Sequence, residues 1–334
     1  MRHGASRSKR RIMEYRRLKE TGFAASAIAL GTWAIGGSHW DGYDEPNAIR
    51  AIETAIDKGV NFIDTAPVYG DGRSEELVGR AIRGKREKVF LATKCGLDIY
   101  TNKYERNLSP SYIELDLTQS LKRLGTDYID LYQCHWPDPK TPIAETMGAL
   151  LRFQKEGKIR HIGVSNFTED QLREAIGCGP LFSLQAHYSL LERDIEKSLL
   201  PLCRERGIHV LSYGPLGAGM LTGKYTECPR FSKGDARSFF YRFFKPRYWP
   251  QVRRLVDGVV AIAEARGVKP GAVAISWVLA QEGVVSAIVG ARSPEQVLEN
   301  ITHVPVNLDH EEMALLDRLS REVYGEQEAP TGSC

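Results

Sequence analysis

The chain reads GKIRHIGVSNFTEDQ over residues 157–171, and this segment contains the unit from which the fold is predicted. Residues 159–165 form a short run rich in Ile and Val between a glycine-lysine pair and an asparagine, which is typical of a strand buried on both faces. Thr168 follows, with Gln171 three residues later, and this spacing is the capping box that begins a helix. The segment therefore predicts a buried strand followed directly by a helix.

The same unit recurs along the chain. Similar apolar runs occupy residues 28–31, 60–65, 89–94, 128–135, 183–187, 209–213 and 286–290. Helical patterns lie between them, over residues 45–58, 109–125 and 141–157, with the proline and glycine signals of helix ends. Eight strands, each followed by a helix, predict an α/β protein with one parallel sheet closed as a single (β/α)8 TIM barrel. An open doubly wound sheet is the alternative, but residues 31–37 (GTWAIGG) lack the GxGxxG turn expected after its first strand.

Two further segments extend this pattern. Residues 15–27 contain the turn signal Glu20-Thr21-Gly22 and predict a small N-terminal β-hairpin across the bottom of the barrel. Residues 309–322 predict a C-terminal helix beyond the eighth unit. We expect the barrel domain to span residues 13–325, with 1–12 a disordered basic extension and 326–334 a C-terminal tail.

The composition excludes several classes of protein. The chain has 334 residues, of which 42% are hydrophobic and 26% charged, as in ordinary globular proteins. It contains no apolar run long enough for a transmembrane helix, and its six cysteines are scattered, as expected of reduced thiols in a cytoplasmic protein. The formal charge of +3 includes +5 from residues 1–12, which leaves −2 for the remainder. We therefore expect neither a nucleic-acid partner nor a membrane partner.

The predicted strand ends carry titratable side chains. Asp64, Lys94 and His135 each lie at the carboxyl end of a predicted strand, and Tyr69 follows Asp64 by five residues. In a TIM barrel, the carboxyl ends of all strands meet at one mouth, where active sites lie. A lysine held by a carboxylate would tune a tyrosine hydroxyl for proton transfer by lowering its pKa, and a neutral imidazole would hydrogen-bond a carbonyl oxygen. The set predicts carbonyl reduction beside a hydride donor, and we expect no metal because His135 lacks partners at ligand spacing.

A series of motifs in this order resembles the aldo-keto reductase superfamily from about Glu14 to Asn300. The motifs are IDTAPVYG (63–70), SEELVG (74–79), TK (93–94), LYQCH (131–135), GKIRHIGVSNF (157–167) and GAR (290–292). The segments HWPDP (135–139) and LTGKY (221–225) most resemble the bacterial subgroup of inositol-catabolism and general-stress reductases. The resemblance implies a barrel that binds NADP(H), with Tyr69 as general acid, Lys94 and Asp64 as its tuning pair, and His135 as the residue that orients the carbonyl.

The cofactor residues follow partly from the chain and partly from the resemblance. Gly290 ends the last strand and Ser293-Pro294 begins a helix, so that free N–H groups and the guanidinium of Arg292 would meet a phosphate. The resemblance implies that Arg292 binds the 2′-phosphate and that the helix face of Gln296, Glu299 and Asn300 meets adenine. It also implies cofactor contacts for Gly31, Thr32, Trp33, Asp64, Ser165, Asn166, Gln185, Tyr213, Gly214, Pro215, Leu216, Gly219 and Lys224.

Residues 228–250 hold eight aromatic and six basic residues but one acid, Asp235. Basic and aromatic residues in alternation occur in nucleic-acid platforms, but they occur more often in loops that pack on their own domain. Since the segment follows the seventh strand, we expect a flap over the cofactor, with Lys233 or Arg237 near a phosphate.

The substrate is expected to be a small carbonyl compound or alcohol. Five aromatic residues predict a rim that would suit sugars, polyols or apolar aldehydes equally well, namely Trp33, Trp40, Tyr69, Trp136 and Phe167. The sequence carries no signal for oligomeric state. An alternative to an enzyme is a cofactor-sensing regulatory or partner-binding subunit on the same barrel, which the superfamily also includes.

Overall fold

The computed structural model describes residues 13–19, 21–37, 44–101, 104–232 and 234–325. The predicted basic extension and C-terminal tail lie outside these ranges, as do Trp40 and Lys233. In the described part of the chain, no helix is both long enough and apolar enough to cross a membrane.

Eight parallel strands form a closed barrel, as predicted. Each strand pairs with the next along the chain, and the last pairs with the first. Most bounds agree with the sequence to within one residue, but the second barrel strand is shorter than expected and the last begins two residues earlier. The strands are β3 (Ile28–Gly31), β4 (Phe62–Asp64), β5 (Phe90–Cys95), β6 (Ile129–Cys134), β7 (Ile159–Ser165), β8 (Ser183–His187), β9 (His209–Tyr213) and β10 (Val284–Gly290).

Helices surround the barrel. The helix after β7 has Thr168 at its N-cap with both hydrogen bonds of the capping box to Gln171, as the sequence predicts. Asp309 and Glu312 form a second capping box at the start of the C-terminal helix. The helices are α1 (Glu45–Asp57), α2 (Arg73–Ala81), α3 (Pro110–Leu124), α4 (Ile143–Lys155), α5 (Glu169–Cys178), α6 (Leu199–Arg206), α7 (Ala236–Phe239), α8 (Trp249–Arg266), α9 (Pro270–Leu279), α10 (Pro294–Ile301) and α11 (His310–Glu322).

Side chains from alternate positions of the strands fill two separate cores. One cluster lies inside the barrel and includes Ala29, Phe62, Phe90, Leu131 and Leu211. The other, larger cluster lies between the strands and the helices. Strands buried on both faces explain why the predicted runs are short and continuously apolar.

The predicted hairpin closes the bottom of the barrel. It consists of β1 (Tyr15–Arg17) and β2 (Ala24–Ser26), which pair antiparallel. Leu18 from its turn joins the cluster inside the barrel. Arg16 donates from Nη1 to the carbonyl of Val284 (2.7 Å) and from Nη2 to that of Leu279 (2.9 Å), which ties the hairpin to the start of β10 and the end of α9. With this end closed, the opposite end is the open mouth.

Replacing Arg16 with alanine should lower the free energy of unfolding by about 1–3 kcal/mol, because two carbonyls lose hydrogen bonds from a charged donor. Thermal or urea unfolding would measure the loss. Arg17→Ala is the matched control, since Arg17 is the exposed neighbour in the same strand. Equal effects of the two substitutions would show that the Arg16 contacts do not hold the hairpin in place.

Candidate active site

Lys94 and Asp64 form a buried ion pair at the ends of β5 and β4. The Lys94 Nζ lies 2.6 Å from Asp64 Oδ2, and the two side chains are 0% and 3% exposed. The same Nζ lies 2.9 Å from the carbonyl oxygen of Thr65 and 3.2 Å from the hydroxyl of Tyr69. These three acceptors account for the three donor hydrogens of an ammonium group. The hydroxyl oxygen of Tyr69 is therefore one of the three acceptors of the buried Lys94 ammonium.

Two glutamines complete the surroundings of Asp64. Gln185 donates from Nε2 to Asp64 Oδ1 at 2.7 Å, and Gln133 reaches the same oxygen at 3.4 Å. Gln185 was expected to contact the cofactor, but here its amide nitrogen binds the carboxylate. Gln133 was missed by the sequence analysis. Its position two residues before His135 could have indicated it, since alternate residues of a strand point to the same face of the sheet.

A close approach of two loops positions Tyr69. A Cβ on Gly70 would lie 2.0 Å from the carbonyl oxygen of Gly36, and one on Gly36 would lie 2.5 Å from that of Tyr69. The loops after β3 and β4 therefore meet backbone to backbone, which only glycine allows. Trp33 from the first loop stacks on the Tyr69 ring, with centroids 6.2 Å apart. Thr32 is fully buried and donates to the Asp64 carbonyl, so its hydroxyl serves this contact rather than facing the mouth.

His135 faces Tyr69 across the mouth. The two rings meet edge to face, with centroids 5.8 Å apart. Asn166, which has a φ of 61°, donates to the His135 carbonyl and, at 3.1 Å, to the Ser165 hydroxyl, and it accepts from the Tyr213 hydroxyl. This chain of bonds links the ends of β6, β7 and β9.

Burial sets the protonation of the central groups. Burial, and then the charge of Asp64, raises the pKa of Tyr69 well above its usual value. Burial, and then the charge of Lys94, lowers the pKa of His135 well below its usual value. The net direction is therefore opposite to the predicted one, because burial and the charge of Asp64 outweigh the stabilisation of the phenolate by Lys94. A neutral phenol and a neutral imidazole face each other.

The segment after β9 has an irregular backbone with three successive positive φ angles. Gly217, Ala218 and Gly219 have φ values of 55°, 49° and 92°, and successive turns of this kind form concavities that bind anions. Lys224 packs against the same segment, since a Cβ on Gly219 would lie 2.7 Å from its Nζ. Tyr213 begins the segment and stacks nearly parallel on His187, with centroids 5.0 Å apart. The predicted residues Gly214, Pro215 and Leu216 lie between Tyr213 and Gly217 in the chain. The backbone geometry of the whole segment fits a pyrophosphate group.

The segment after β10 has a helix N-terminus at the predicted place. Ser293 caps α10 by accepting from the Gln296 backbone. The side chain of Gln296 accepts from the Arg292 backbone N–H at 2.8 Å, and Asn300 donates to the Gly290 carbonyl at 3.1 Å. Both side chains, expected to meet adenine, thus brace the turn that carries Arg292 in this structure. Glu299 is exposed on the same helix.

The described part of the 228–250 segment reaches the mouth through Phe240. Phe240 meets Trp33 edge to face at 6.1 Å and lies 6.4 Å from the His187 ring, so the segment spans the ends of β3 and β8. Arg237 is bound to Asp235 through two nitrogens, 2.8 and 2.5 Å from the carboxylate oxygens. Hydrogen bonds from Arg237, and more weakly the charge of Arg292, hold the pKa of Asp235 below its usual value. The Asp235 carboxylate of this segment therefore lies within electrostatic range of Arg292.

The aromatic rim is smaller than predicted. Trp33 and Trp136 are partly exposed, and the guanidinium of Arg106 lies over the Trp136 ring. Phe167 is only 4% exposed and belongs to the core between strands and helices, so the expectation that it lines the rim is wrong. Phe167 follows β7 as predicted, but its side chain packs in this core.

A second buried carboxylate lies behind the site. Asp116 on α3 accepts from the Gly96 backbone N–H at 3.1 Å, while its other oxygen, Oδ1, has no partner among the described residues. Glu75 lies nearby, bound to Thr93 and Arg123. Burial raises the pKa of Asp116 to about 7, with the charge of Glu75 adding to the effect.

Comparison with known proteins gives consistent results. Residues 27–321 match the Aldo/keto reductase family. The chain is 45% identical over 300 residues to aldo-keto reductase YhdN of Bacillus subtilis (strain 168), covering 88% of this chain and 90% of that protein. It is 39% identical over 319 residues to the NADH-specific methylglyoxal reductase of Escherichia coli (strain K12), covering 91% and 97%. The solved structure of the glycerol dehydrogenase AKR11B4 from Gluconobacter oxydans is 40% identical, with a TM-score of 0.84 over 96% of this chain and 99% of that one.

Asp116, which accepts from the Gly96 N–H just beyond β5, provides a pH-dependent test of its own burial. Because its pKa is raised on folding, its ionised form destabilises the folded chain, and this penalty grows as the pH rises from about 4 to about 7. Asp116→Asn keeps an acceptor for Gly96 and removes the penalty. The variant should therefore gain in melting temperature over the wild type, more at about pH 8 than at about pH 5. Thermal unfolding of both proteins, with exposed Asp57→Asn as control, measures the difference. A gain that is independent of pH would contradict this assignment.

Proposed function

The chain belongs to the aldo/keto reductase family, and we propose that it interconverts aldehydes or ketones and alcohols with NADP(H), with Tyr69 as general acid and base. The observation that carries the proposal is the position of the Lys94 ammonium, 2.6 Å from Asp64 and 3.2 Å from the Tyr69 hydroxyl. A charged donor fixed at the phenolic oxygen stabilises the negative charge that forms as the proton leaves.

The side chains have separate roles in reduction. A bound nicotinamide cofactor supplies the hydride. Tyr69 begins protonated, because burial raises its pKa, and gives its proton to the carbonyl oxygen of the substrate. Lys94 donates to the resulting phenolate, and Asp64 keeps the lysine in place. His135, held neutral by burial, donates a hydrogen bond to the same carbonyl oxygen. In alcohol oxidation the phenolate accepts the proton instead.

Two relatives support the reaction class by their names, a methylglyoxal reductase and a glycerol dehydrogenase. One acts on a carbonyl and the other on an alcohol, which are the two directions of one reaction. The Escherichia coli relative is named as NADH-specific, so the preference of this chain depends on its own residues. Arg292, beside the N-terminus of α10, is the group that we assign to the additional phosphate of NADPH.

Tyr69→Phe removes the transferable proton and keeps the ring that stacks on Trp33. We expect turnover to fall by about 10²–10⁴-fold, the usual loss for a general acid, with little change in cofactor affinity. NADPH oxidation with an aldehyde, followed by absorbance, measures the rate. Tyr15→Phe, at the closed end of the barrel, is the control for loss of a tyrosine hydroxyl.

Near-normal turnover by Tyr69→Phe would exclude Tyr69 as the acid. A wild-type protein that binds NADPH but reduces no carbonyl in a broad panel would instead favour the alternative, a cofactor-sensing subunit.

Arg292→Ala tests the choice of cofactor. A hydrogen bond to a charged group contributes about 1.5–3 kcal/mol, or about one to two orders of magnitude in affinity, and solvent exposure favours the lower end. We expect NADPH binding to weaken by about tenfold and NADH binding to change little. Titration of both cofactors by quenching of intrinsic fluorescence measures the two affinities. Arg83→Ala, an exposed site beyond the end of α2, is the matched control.

Equal weakening of both cofactors would mean that Arg292 binds the shared pyrophosphate or supports the loop. The assignment of NADP(H) would then lose the residue on which it depends.

A further inference from the structure

A short ribbon extends β5 beyond the catalytic lysine. Leu97 and Arg106 form an antiparallel bridge, with flanking hydrogen bonds from Asp98 N–H to the Glu105 carbonyl (2.9 Å) and from Asn107 N–H to the Gly96 carbonyl (3.0 Å). Leu97 is three residues beyond Lys94. The ribbon therefore places Arg106 at the mouth, above the layer that contains the catalytic side chains.

Arg106 stacks on the residue that follows His135. Its guanidinium carbon lies 4.9 Å from the centroid of the Trp136 ring. The ends of β5 and β6 are joined at this level, since the His135 N–H donates to the Cys95 carbonyl at 2.9 Å. Both Arg106 and Trp136 are half-buried. The guanidinium is thus held over the ring of Trp136, the residue next to His135 in the chain.

The pairing of Arg106 differs from that of comparable arginines. Most half-buried arginines of the described chain form an ion pair with a carboxylate, as do Arg16, Arg86, Arg123, Arg193, Arg237 and Arg242. Among the described residues, no carboxylate lies within ion-pair distance of Arg106. The adjacent Glu105 pairs with Lys140 instead, at 3.7 Å. A guanidinium fork beside the reaction centre is therefore open to an acidic ligand.

We propose that Arg106 binds a carboxylate of the substrate, so that the preferred substrates are aldehydes or ketones that carry an acid group at a distance from the carbonyl. This inference rests on the proposed function and specifies its substrate class. A planar guanidinium matches a carboxylate with two parallel hydrogen bonds. Stacking on Trp136 restricts the side chain before binding, which reduces the entropy that binding must overcome.

The opposite wall of the mouth indicates which kind of aldehyde would test this proposal. Trp33, which is partly exposed, and Phe240, which is exposed, present aromatic surface there. An aromatic aldehyde would contact these rings through its own ring. Benzaldehyde and 4-carboxybenzaldehyde share that ring and differ by one carboxylate, so their comparison isolates the charge.

The experiment measures kcat/KM for both aldehydes with NADPH and forms the ratio of acid to neutral substrate. Arg106→Gln should lower this ratio by about tenfold relative to the wild type, the effect expected for losing a charged hydrogen bond. Arg106→Lys keeps the charge but loses the planar guanidinium with its paired donors. Its ratio should lie between that of the wild type and that of Arg106→Gln. Added salt should lower the wild-type ratio and leave that of Arg106→Gln unchanged.

Arg152→Gln is the matched control. Arg152 also lies over an aromatic ring, 4.9 Å from the centroid of Phe153, but it is in the last turn of α4 and pairs with Glu114. This substitution should leave the ratio as in the wild type.

An unchanged ratio in Arg106→Gln, while the wild type reduces both aldehydes, would overturn the carboxylate subsite and leave the reductase assignment intact. Failure of the wild type to reduce any carbonyl would overturn the proposed function, and the subsite with it. An altered ratio in Arg152→Gln would show that the effect is one of net charge rather than of a site.

Discussion

The buried ion pair between Lys94 and Asp64 is the constraint on which the arrangement of the mouth depends. Removing two charges from water is costly, and the cost is offset only when every donor and acceptor finds a partner. The partners here come from several strands: Thr65 after β4, Gln133 on β6 and Gln185 on β8. The ion pair therefore stabilises one mutual position of these strand ends. The hydroxyl of Tyr69 is the remaining acceptor of the ammonium, which is why this side chain occupies a fixed position.

The strands and the titratable side chains at the mouth could be predicted from sequence because both follow from local patterns. A buried strand is a short apolar run, and its last residue marks the mouth, so Asp64, Lys94 and His135 could be placed without coordinates. The direction in which the pKa of Tyr69 is shifted could not be predicted, because it depends on the balance between desolvation of the hydroxyl and the opposing charges of Lys94 and Asp64. The burial of Phe167 and the bracing bonds of Gln296 and Asn300 likewise depend on where the neighbouring backbone lies.

The two ends of the barrel are stabilised in different ways. At the bottom, the hairpin adds Leu18 to the interior cluster, and Arg16 satisfies carbonyls of β10 and α9. At the mouth, contacts are made by loops, by aromatic rings and by polar side chains. Asn166 is one of these: its backbone has a left-handed conformation, and its side chain hydrogen-bonds to three neighbouring residues. Stability and chemistry are thus separated along the barrel axis, as is usual in this fold.

The contact between Gly36 and Gly70 has a consequence for protein engineering. Because neither position has space for a Cβ, the two loops fit each other as a matched pair of backbones. A graft that replaces one loop with that of a relative of different length or backbone path would displace Tyr69 from Lys94 even if both of these residues were retained. Libraries that aim to change substrate range should exchange the two loops together, or hold both glycines fixed and diversify the ribbon and the 228–250 segment instead.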